Sequence, residues 1–389
     1  MEEPGPQARQ ASSVSAGTSA RLCARLRALI ARQIAAAGGW LPFDRFMAMA
    51  LYAPGLGYYG RSDRQFGLMP ASGSDFVTAP ELSPLFGRTL AKPLAQALQA
   101  CGGDTVWEFG AGSGALAAQL LSSDELGRSL HRYAIVELSG ALRERQRETL
   151  AAHADRVEWL DALPDAMHGV VIGNEVLDAM PVQLLRWDGS QWLERGVTVA
   201  DAGTDAGGFC WQDRPTKHAP PFAPVAEGHF LPGYLTEIHP QAEAFIATLG
   251  ERLQRGAAFF IDYGFPEAEY YHPQRDGGTL MCHRAHRNDP DPLADVGEKD
   301  ITAHVNFTGI ALAGQNAGLD VIGYTSQARF LLNCGLVDHL GHASLPARAM
   351  ARRLVDEHEM GELFKVIGFA RGCAFDAIGF AVGDRSHTL

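Results

Sequence analysis

The sequence predicts an α/β fold built on a Rossmann-like, doubly wound and mainly parallel sheet. Two observations predict it. From Thr105 onward, short apolar runs alternate with helical patterns, which is typical of a parallel sheet covered by helices. The first run ends in a glycine-rich turn, residues 108–114, and good helix formers follow at 115–121. We expect the last strand to be antiparallel to the others, since it follows a long helical stretch. The candidate strands are 105–109, 133–137, 157–160, 170–174, 257–263, 320–325 and 375–382.

The glycine-rich turn is typical of a nucleotide-binding site. Gly110, Gly112 and Gly114 stand at alternate positions, so the backbone can turn tightly and a ligand can approach it without meeting a Cβ. The spacing also fits the dinucleotide fingerprint G-x-G-x-x-G/A, so a nicotinamide oxidoreductase is one alternative. Glu108 at the strand end favours S-adenosylmethionine, because a carboxylate repels pyrophosphate and attracts the sulfonium and ammonium groups of that cofactor.

Acidic residues also end the next two predicted strands. Glu137 can accept hydrogen bonds from both ribose hydroxyls, which supports a nucleotide site without choosing between cofactors. Asp161 is predicted to contact the adenine amino group. The alternative interpretations are an exposed strand-end acid for Glu137 and a loop acid or helix cap for Asp161.

The fourth strand ends in a second polar group, Asn174, Glu175 and Asp178. Glu175 and Asp178 are three residues apart and share a face if the turn is helical. Two carboxylates beside a transferable methyl suit a cationic acceptor, because a guanidinium can be held by paired hydrogen bonds. Alternatively, Asp178 caps the next helix and Glu175 is solvated. Asp262, near the end of the fifth predicted strand, is either a third wall of this pocket or a simple strand-end acid.

A second candidate for the acceptor side lies late in a long loop. His304 and Asn306 alternate with apolar residues, as they would on an extended segment, and we expect both to face the acceptor. The alternative for His304 is a structural hydrogen bond.

Composition excludes several classes of protein. The net charge of −12 and the pI near 5.6 argue against general nucleic-acid binding, and no apolar stretch approaches the length of a membrane span. The six cysteines lack C-x-x-C spacing, so we expect no disulfide framework and no zinc site, and a reducing compartment. Cys282, His283 and His286 are too few for a metal site. Arginines and alanines near the N-terminus resemble a transit peptide, but Glu2 and Glu3 oppose it, and the bacterial cytoplasm is the expected location.

The chain is expected to contain a tail, a helical region and a sheet domain with two insertions. In the first insertion, Asp188-Gly189 predicts the turn of a β-hairpin. Substrates of open α/β sheets bind beyond the carboxyl ends of the strands, so both insertions are expected on the substrate side. The expected parts are a disordered tail at 1–18, a helical region covering the cofactor site at 19–103, and the sheet domain at 104–389 with insertions at about 182–250 and 265–306.

With these segments in view, the chain resembles the bacterial members of a family that includes a mitochondrial complex I assembly factor, a class I S-adenosylmethionine-dependent protein arginine methyltransferase. The resemblance runs from about 41 to 382. Its most specific segments are Ser-Asp-Phe-Val-Thr-Ala-Pro-Glu at 74–81, Asn-Glu-Val-Leu-Asp-Ala-Met-Pro at 174–181 and Asp-Ile-Thr-Ala-His-Val-Asn-Phe at 300–307.

The resemblance implies a seven-stranded core, S-adenosylmethionine as cofactor with S-adenosylhomocysteine as product, and symmetric dimethylation of an arginine in a partner protein. Thr78, Pro80 and Glu81 would then close over the cofactor. The chain departs from the family at Asn306, which replaces an aspartate, and at Ala118, which replaces an acid.

We therefore expect an S-adenosylmethionine-dependent methyltransferase that acts on arginine in a protein. A small-molecule methyltransferase and a non-catalytic assembly or binding factor that retains the fold are the alternatives. The oligomeric state stays open, a homodimer included.

Overall fold

The computed structural model describes residues 6–61, 78–127, 129–200, 208–221, 229–284 and 287–389, with side chains from residue 19 onward apart from 287 and 288. The helices are α1 Pro6–Ala36, α2 Phe43–Tyr52, α3 Ala79–Leu82, α4 Leu85–Cys101, α5 Ala115–Leu121, α6 Asp124–Gly127, α7 Gly140–Thr149, α8 Pro240–Arg252, α9 Glu267–Tyr270, α10 Phe307–Asn316, α11 Gln327–Asn333, α12 Leu336–His342 and α13 Leu345–Arg353. The strands are β1 Leu41–Pro42, β2 Thr105–Phe109, β3 Arg132–Val136, β4 Val157–Leu160, β5 Met167–Asn174, β6 Gln183–Trp187, β7 Trp192–Val199, β8 Phe209–Pro215, β9 Leu235–Ile238, β10 Leu253–Phe265, β11 Met281–Arg284, β12 Arg287–Asp289, β13 Asp300–Thr302, β14 Val305–Asn306, β15 Asp320–Ser326 and β16 Phe364–Arg371.

A large mixed sheet forms the centre of the molecule, as predicted. Its strand order is β15-β16-β10-β5-β2-β3-β4, and the short β14 pairs with β10. The strands from β10 to β4 are mutually parallel, while β16 is antiparallel to both of its neighbours. The carboxyl ends of β2, β3, β5 and β10 therefore lie at one edge of the sheet, where the predicted site residues follow them.

The antiparallel strand was predicted in the wrong segment. It is β16, whereas residues 375–382 contain only a short 3-10 turn, Ile378–Phe380. Both segments contain Ile-Gly-Phe-Ala, so the local pattern cannot distinguish them. Tertiary packing decides, because the Phe380 ring fills the space over Gly323 and Gly368, where a Cβ would come within 2.0 Å and 2.6 Å of the ring.

Side chains alternate between the two faces of the large sheet. In β10, Phe259 packs with α4 and α5 on one face, and Phe260 packs with α8 and α10 on the other. Both faces are therefore buried, which explains the continuous apolar runs in the sequence.

The N-terminal helices pack on a separate sheet of order β1-β7-β6-β9, with β8 paired to β7. Together, α1, α2 and this sheet form what we call the accessory unit, and its core includes Leu26, Phe46 and Val197. The predicted hairpin is present as β6 and β7, with Gly189 at φ 106° in its turn. Helix α4 instead belongs to the core of the large sheet.

Helix α1 begins at Pro6, so residues 6–18 are helical where a disordered tail was expected. Their Ala, Gln and Arg content is compatible with a helix, and they continue directly into the part of α1 that belongs to the core of the accessory unit. Residues 1–5 lie outside the described residues. Within the described ranges, every helix is too short or too polar to cross a membrane.

Candidate active site

A cleft of about 1150 Å³ opens at the carboxyl edge of the large sheet. The structure brings nearly all of the predicted site residues to its wall. Those lining the cleft are Thr78, Glu81, Glu108, Gly110, Gly112, Glu137, Asp161, Asn174, Glu175, Asp178 and His304.

The glycine-rich turn between β2 and α5 forms the base of this cleft. Gly110, Gly112 and Gly114 have φ values of 67°, 52° and 85°, the left-handed region that favours glycine. Gly110 also lies under Val176, whose Cγ2 would be 2.7 Å from a Cβ at this position. Gly114 does not line the cleft but faces α7, where a Cβ would lie 3.5 Å from Leu150 Cδ1.

Glu108, at the end of β2, is almost fully buried. Its Oε2 accepts a hydrogen bond of 2.8 Å from the Tyr133 hydroxyl, which comes from the neighbouring strand β3. Burial raises the pKa of this carboxyl to about 8. A cation in the cleft would favour its charged form and lower that pKa again.

The acids predicted to bind ribose and adenine are held by α7. Glu137 Oε1 accepts the N–H of Ser139 at 2.8 Å, and Arg143 donates to the Glu137 carbonyl at 2.7 Å. Arg143 also forms an ion pair with Asp161, whose side chain is 87% exposed. The two acids are therefore fixed relative to each other, as a site for an extended nucleoside requires.

A short segment from the N-terminal region joins the glycine turn. The Ser113 hydroxyl donates to Glu81 on α3, and Gln119 Nε2 donates to the Pro80 carbonyl at 2.7 Å. Thr78 precedes α3 at the same wall. This placement agrees with a segment that covers the cofactor, although 74–77 of the family motif lie outside the described residues.

The polar group after β5 forms a tight turn at the other end of the cleft. Glu175 has φ 53°, a strained value for a residue that is not glycine. Asn174 Nδ2 donates to Glu175 Oε1 at 2.9 Å. Burial, and then the charge of Asp178, raise the pKa of Glu175 to about 8. Residues 174–178, the acceptor turn, thus hold their carboxylates close together.

Asp178 faces the cleft without capping a helix, because the chain continues from this turn into β6. It is almost fully buried, and its Oδ1 has no hydrogen-bond partner among the described residues. Burial raises its pKa to about 6, against a hydrogen bond with Tyr263 that lowers it. An N–H donor on a ligand would satisfy the Oδ1 atom.

Sequence reasoning missed a group of side chains at the acceptor end. The Tyr59 hydroxyl donates to Asp300, 2.9 Å from each carboxylate oxygen, and the Tyr59 ring stacks on Tyr52 with centroids 5.5 Å apart. Tyr52 donates to the Ala179 carbonyl at 2.8 Å, next to Asp178. All three residues of this group line the cleft. Of the family motifs named above, only the one at 300–307 includes a member of this group, Asp300.

His304 and Asn306 have different positions, contrary to the expectation that both face the acceptor. His304 lines the cleft between the rings of Tyr263 and Phe265, with centroids 5.1 Å and 5.2 Å away. Its buried Nδ1 has no partner among the described residues, and burial lowers its pKa to about 4. Asn306 instead caps α10, where its Oδ1 accepts the Gly309 N–H at 3.3 Å. Asparagine and aspartate cap helices equally well, so the departure from the family leaves this role intact.

The cleft is strongly acidic. Its lining includes no lysine or arginine among the described residues. Cations therefore suit the cleft, and S-adenosylmethionine carries a sulfonium and an ammonium group. The acids that line it are Glu81, Glu108, Glu137, Asp161, Glu175, Asp178 and Asp300.

Comparison with known proteins agrees with this geometry. Residues 89–325 match the model of a family described as "Putative S-adenosyl-L-methionine-dependent methyltransferase". This chain belongs to that methyltransferase family. It is also similar to a Burkholderia thailandensis protein whose crystal structure was determined bound to S-adenosyl-homocysteine, with 52% identity, full coverage of both chains and a TM-score of 0.90.

More distant relatives carry a more specific name. The chain is 27% identical to the mitochondrial protein arginine methyltransferase NDUFAF7 homolog of Drosophila melanogaster, over 96% of this chain and 90% of that protein. It is 26% identical to the Homo sapiens protein arginine methyltransferase NDUFAF7, over 77% of this chain and 70% of that protein.

S-adenosylmethionine is therefore the cofactor of this methyltransferase, and when bound it supplies a methyl group carried on a sulfonium. The residues present fit it: Gly110 and Gly112 leave room for a ligand at the base of the cleft, and acidic side chains line the cleft, where they would attract cationic groups. The assignments of Glu108 to the amino-acid end, Glu137 to ribose and Asp161 to adenine stay predictions. The described residues hold no cluster suited to a metal ion.

Proposed function

We propose that this protein methylates a guanidinium nitrogen of an arginine in a protein substrate. The observation that carries the proposal is the pair of carboxylates on the acceptor turn. Asp178 Oδ1 lies buried in the cleft without a partner among the described residues, and Glu175 lies beside it. A guanidinium offers several N–H donors in one plane and can bind two neighbouring carboxylates at once.

The carboxylates also answer the main chemical difficulty of this acceptor. As the new N–C bond forms and the sulfonium S–C bond breaks, the attacking nitrogen must lose a proton, or the product would carry a second positive charge. A guanidinium holds its protons tightly, so a nearby group must accept this one. The raised pKa of Glu175 suits a proton acceptor that works near neutral pH. Hydrogen bonds from the Asn174 side chain and from the backbone of Ala79 hold this carboxylate in place at the wall of the cleft. His304 is mostly neutral at pH 7, so it can orient the acceptor without repelling it.

The names of the distant relatives support a protein as the acceptor. Tyr52 and Tyr59 add aromatic faces against which a planar guanidinium can stack.

The proposal can be tested with S-adenosylmethionine that carries a deuterated methyl group. The purified protein is incubated with an extract of its source cells, and the labelled products are identified by mass spectrometry. We expect label on arginine side chains of one or a few proteins. Label confined to small molecules, to lysine or to carboxylates would contradict the proposal. No label with any extract, despite binding of S-adenosylhomocysteine, would favour a non-catalytic factor.

A further inference from the structure

Asp262 lies outside the cleft but binds directly to the acceptor turn. The pairing of β10 with β5 ends at Ile261, which lies opposite Asn174. Asp262 is the next residue of β10. The side chain is fully buried and does not line the cleft. The interpretation of Asp262 as a third wall of the pocket is therefore wrong, and its contacts suggest another role.

One oxygen of this carboxylate binds three consecutive backbone N–H groups. Asp262 Oδ2 accepts from Val176 at 3.1 Å, Leu177 at 2.9 Å and Asp178 at 3.2 Å. The other oxygen accepts the N–H of Tyr263 at 3.0 Å. Successive N–H groups that point at one oxygen form an anion-binding concavity, and here a carboxylate of the chain itself fills it.

These bonds hold the turn in a strained form. Glu175 adopts φ 53° while its own N–H stays bonded to the Ile261 carbonyl at 2.9 Å. A left-handed conformation is unfavourable for a residue other than glycine, so the surrounding contacts must maintain it. Three backbone hydrogen bonds to one buried oxygen can offset this strain. Burial, and then the charges of Asp178 and Glu175, raise the pKa of Asp262 well above its ordinary range, so the inference rests on these hydrogen bonds and not on a full charge.

The same turn contacts the cofactor side through Val176, whose side chain lies over Gly110. A shift of the turn would therefore displace the acceptor carboxylates relative to the glycine turn. Methyl transfer requires acceptor, methyl and leaving group in line, so such a shift would slow it more than it would weaken cofactor binding.

We propose that Asp262 is a positioning residue, which fixes the acceptor carboxylates of Glu175 and Asp178 relative to the cofactor turn by binding the backbone of the acceptor turn. This inference rests on the proposed function in so far as those carboxylates bind the acceptor. It assigns Asp262 no contact with the substrate.

The test compares Asp262→Asn with Asp188→Asn. Asp188 is a matched control, because its Oδ1 also accepts successive backbone N–H groups, from Ser190 and Gln191, at the exposed hairpin of the accessory unit. Asparagine keeps one oxygen for the turn, but its amide nitrogen is a donor and would face the Tyr263 N–H, so that hydrogen bond is lost. Turnover is measured with the acceptor labelled in the extract experiment, and binding is measured with S-adenosylhomocysteine by calorimetry.

We expect Asp262→Asn to lower kcat by about 10- to 100-fold, with the affinity for S-adenosylhomocysteine changed by less than about 3-fold. Asp188→Asn should leave both unchanged. An Asp262→Asn protein that turns over like Asp188→Asn would overturn the inference. So would a loss of S-adenosylhomocysteine binding as large as the loss of kcat, since the residue would then act through the cofactor site or the fold.

Hydrogen exchange of the unmodified protein tests the inference even if Asp262→Asn does not fold. We expect slow exchange at the N–H groups of Val176, Leu177 and Asp178, although they lie outside the strands. Exchange as fast as that of an exposed loop would overturn the inference.

The experiments also distinguish failure of this inference from failure of the proposed function. Label on an acceptor other than arginine would refute the proposed function, and the kcat comparison could still be made with that acceptor.

Discussion

Val176 packs directly over Gly110, so close that a Cβ on the glycine would lie 2.7 Å from Val176 Cγ2. Gly110 belongs to the glycine-rich turn at 108–114, which we expect to bind the cofactor, and Val176 belongs to the acceptor turn. The two turns follow the neighbouring strands β2 and β5, and this contact joins the two halves of the methyltransferase site. A shift of either turn should therefore displace the other.

Gly110→Ala tests this contact. An added methyl would clash with Val176, and the residue would also have to keep φ 67°. We expect the free energy of unfolding to fall by about 1–3 kcal/mol and the affinity for S-adenosylhomocysteine to fall by at least about 10-fold. Calorimetry and urea denaturation measure the two effects. Gly127→Ala is the control, since nothing lies within 4 Å of its added Cβ. Equal behaviour of the two variants would show that Gly110 has room for a side chain.

Glu175→Gly separates strain from chemistry. Glycine adopts φ 53° readily, whereas alanine at the same position would keep the strain. We therefore expect Glu175→Gly to be more stable than Glu175→Ala by about 1 kcal/mol in urea denaturation, although both should lose turnover. An alanine variant as stable as the glycine variant would mean that the turn relaxes to another conformation in solution.

The pH dependence of turnover should report Glu175. Its pKa is raised to about 8, so at pH 6 the side chain is mostly protonated and cannot accept a proton from the acceptor. We predict that kcat/KM for the acceptor rises with pH, with a midpoint at or below about 8 because the positive charge of the bound cofactor lowers this pKa, and then levels off. Glu175→Asp should keep a rise, whereas Glu175→Gln should show a low and flatter profile. A profile for the unmodified protein that is flat between pH 6 and 9 would contradict this role.

Cofactor binding should release protons at neutral pH. The pKa of Glu108 is raised to about 8 without ligand, so this carboxyl is largely protonated at pH 7 and should ionise when a cationic ligand binds. Calorimetry in buffers of different ionisation enthalpy measures the release. We expect a buffer-dependent enthalpy with the unmodified protein and a smaller dependence with Glu108→Gln. Equal dependence in both would place the proton on another group.

Glu108 and Glu175 should make the stability of the ligand-free protein depend on pH. Their pKa values in the folded protein are about 8, above the ordinary value of 4.5. Between these two pH values the unfolded chain has lost these protons while the folded protein still holds them, so a rise in pH favours the unfolded chain. The stabilisation is complete below about pH 4.5 and is lost as the pH rises through about 8. We predict a Tm that falls between pH 5 and pH 8 in scanning fluorimetry, and a smaller fall in Glu108→Gln. A Tm that rises with pH in both proteins would contradict the direction of these shifts.

The cofactor half of the site was predictable from local sequence. Glu108, the glycine turn and Glu137 follow consecutive strands, and parallel strands bring their carboxyl ends to one edge of a sheet. The acceptor turn was predictable for the same reason, since β5 neighbours β2.

The remaining parts depend on contacts between distant segments. Tyr59 and Asp300 are 241 residues apart in sequence, and nothing local in either segment indicates that they meet. The capping role of Asn306 depends on where α10 begins, which the alternation of polar and apolar residues did not reveal. The last strand was predicted in the wrong segment for the same reason. Two segments have similar sequences, and the packing of Phe380 over the distant Gly323 decides which of them forms the strand.

The central claim is that the acceptor carboxylates select and deprotonate a guanidinium. The most direct measurement is kcat/KM for the labelled arginine acceptor with the unmodified protein, Glu175→Gln, Asp178→Asn and the control Asp188→Asn. We predict a loss of about 10²-fold or more for each acceptor-turn variant, unchanged S-adenosylhomocysteine binding in all four proteins, and full activity in the control. Acceptor-turn variants that methylate arginine as fast as the control would contradict the claim.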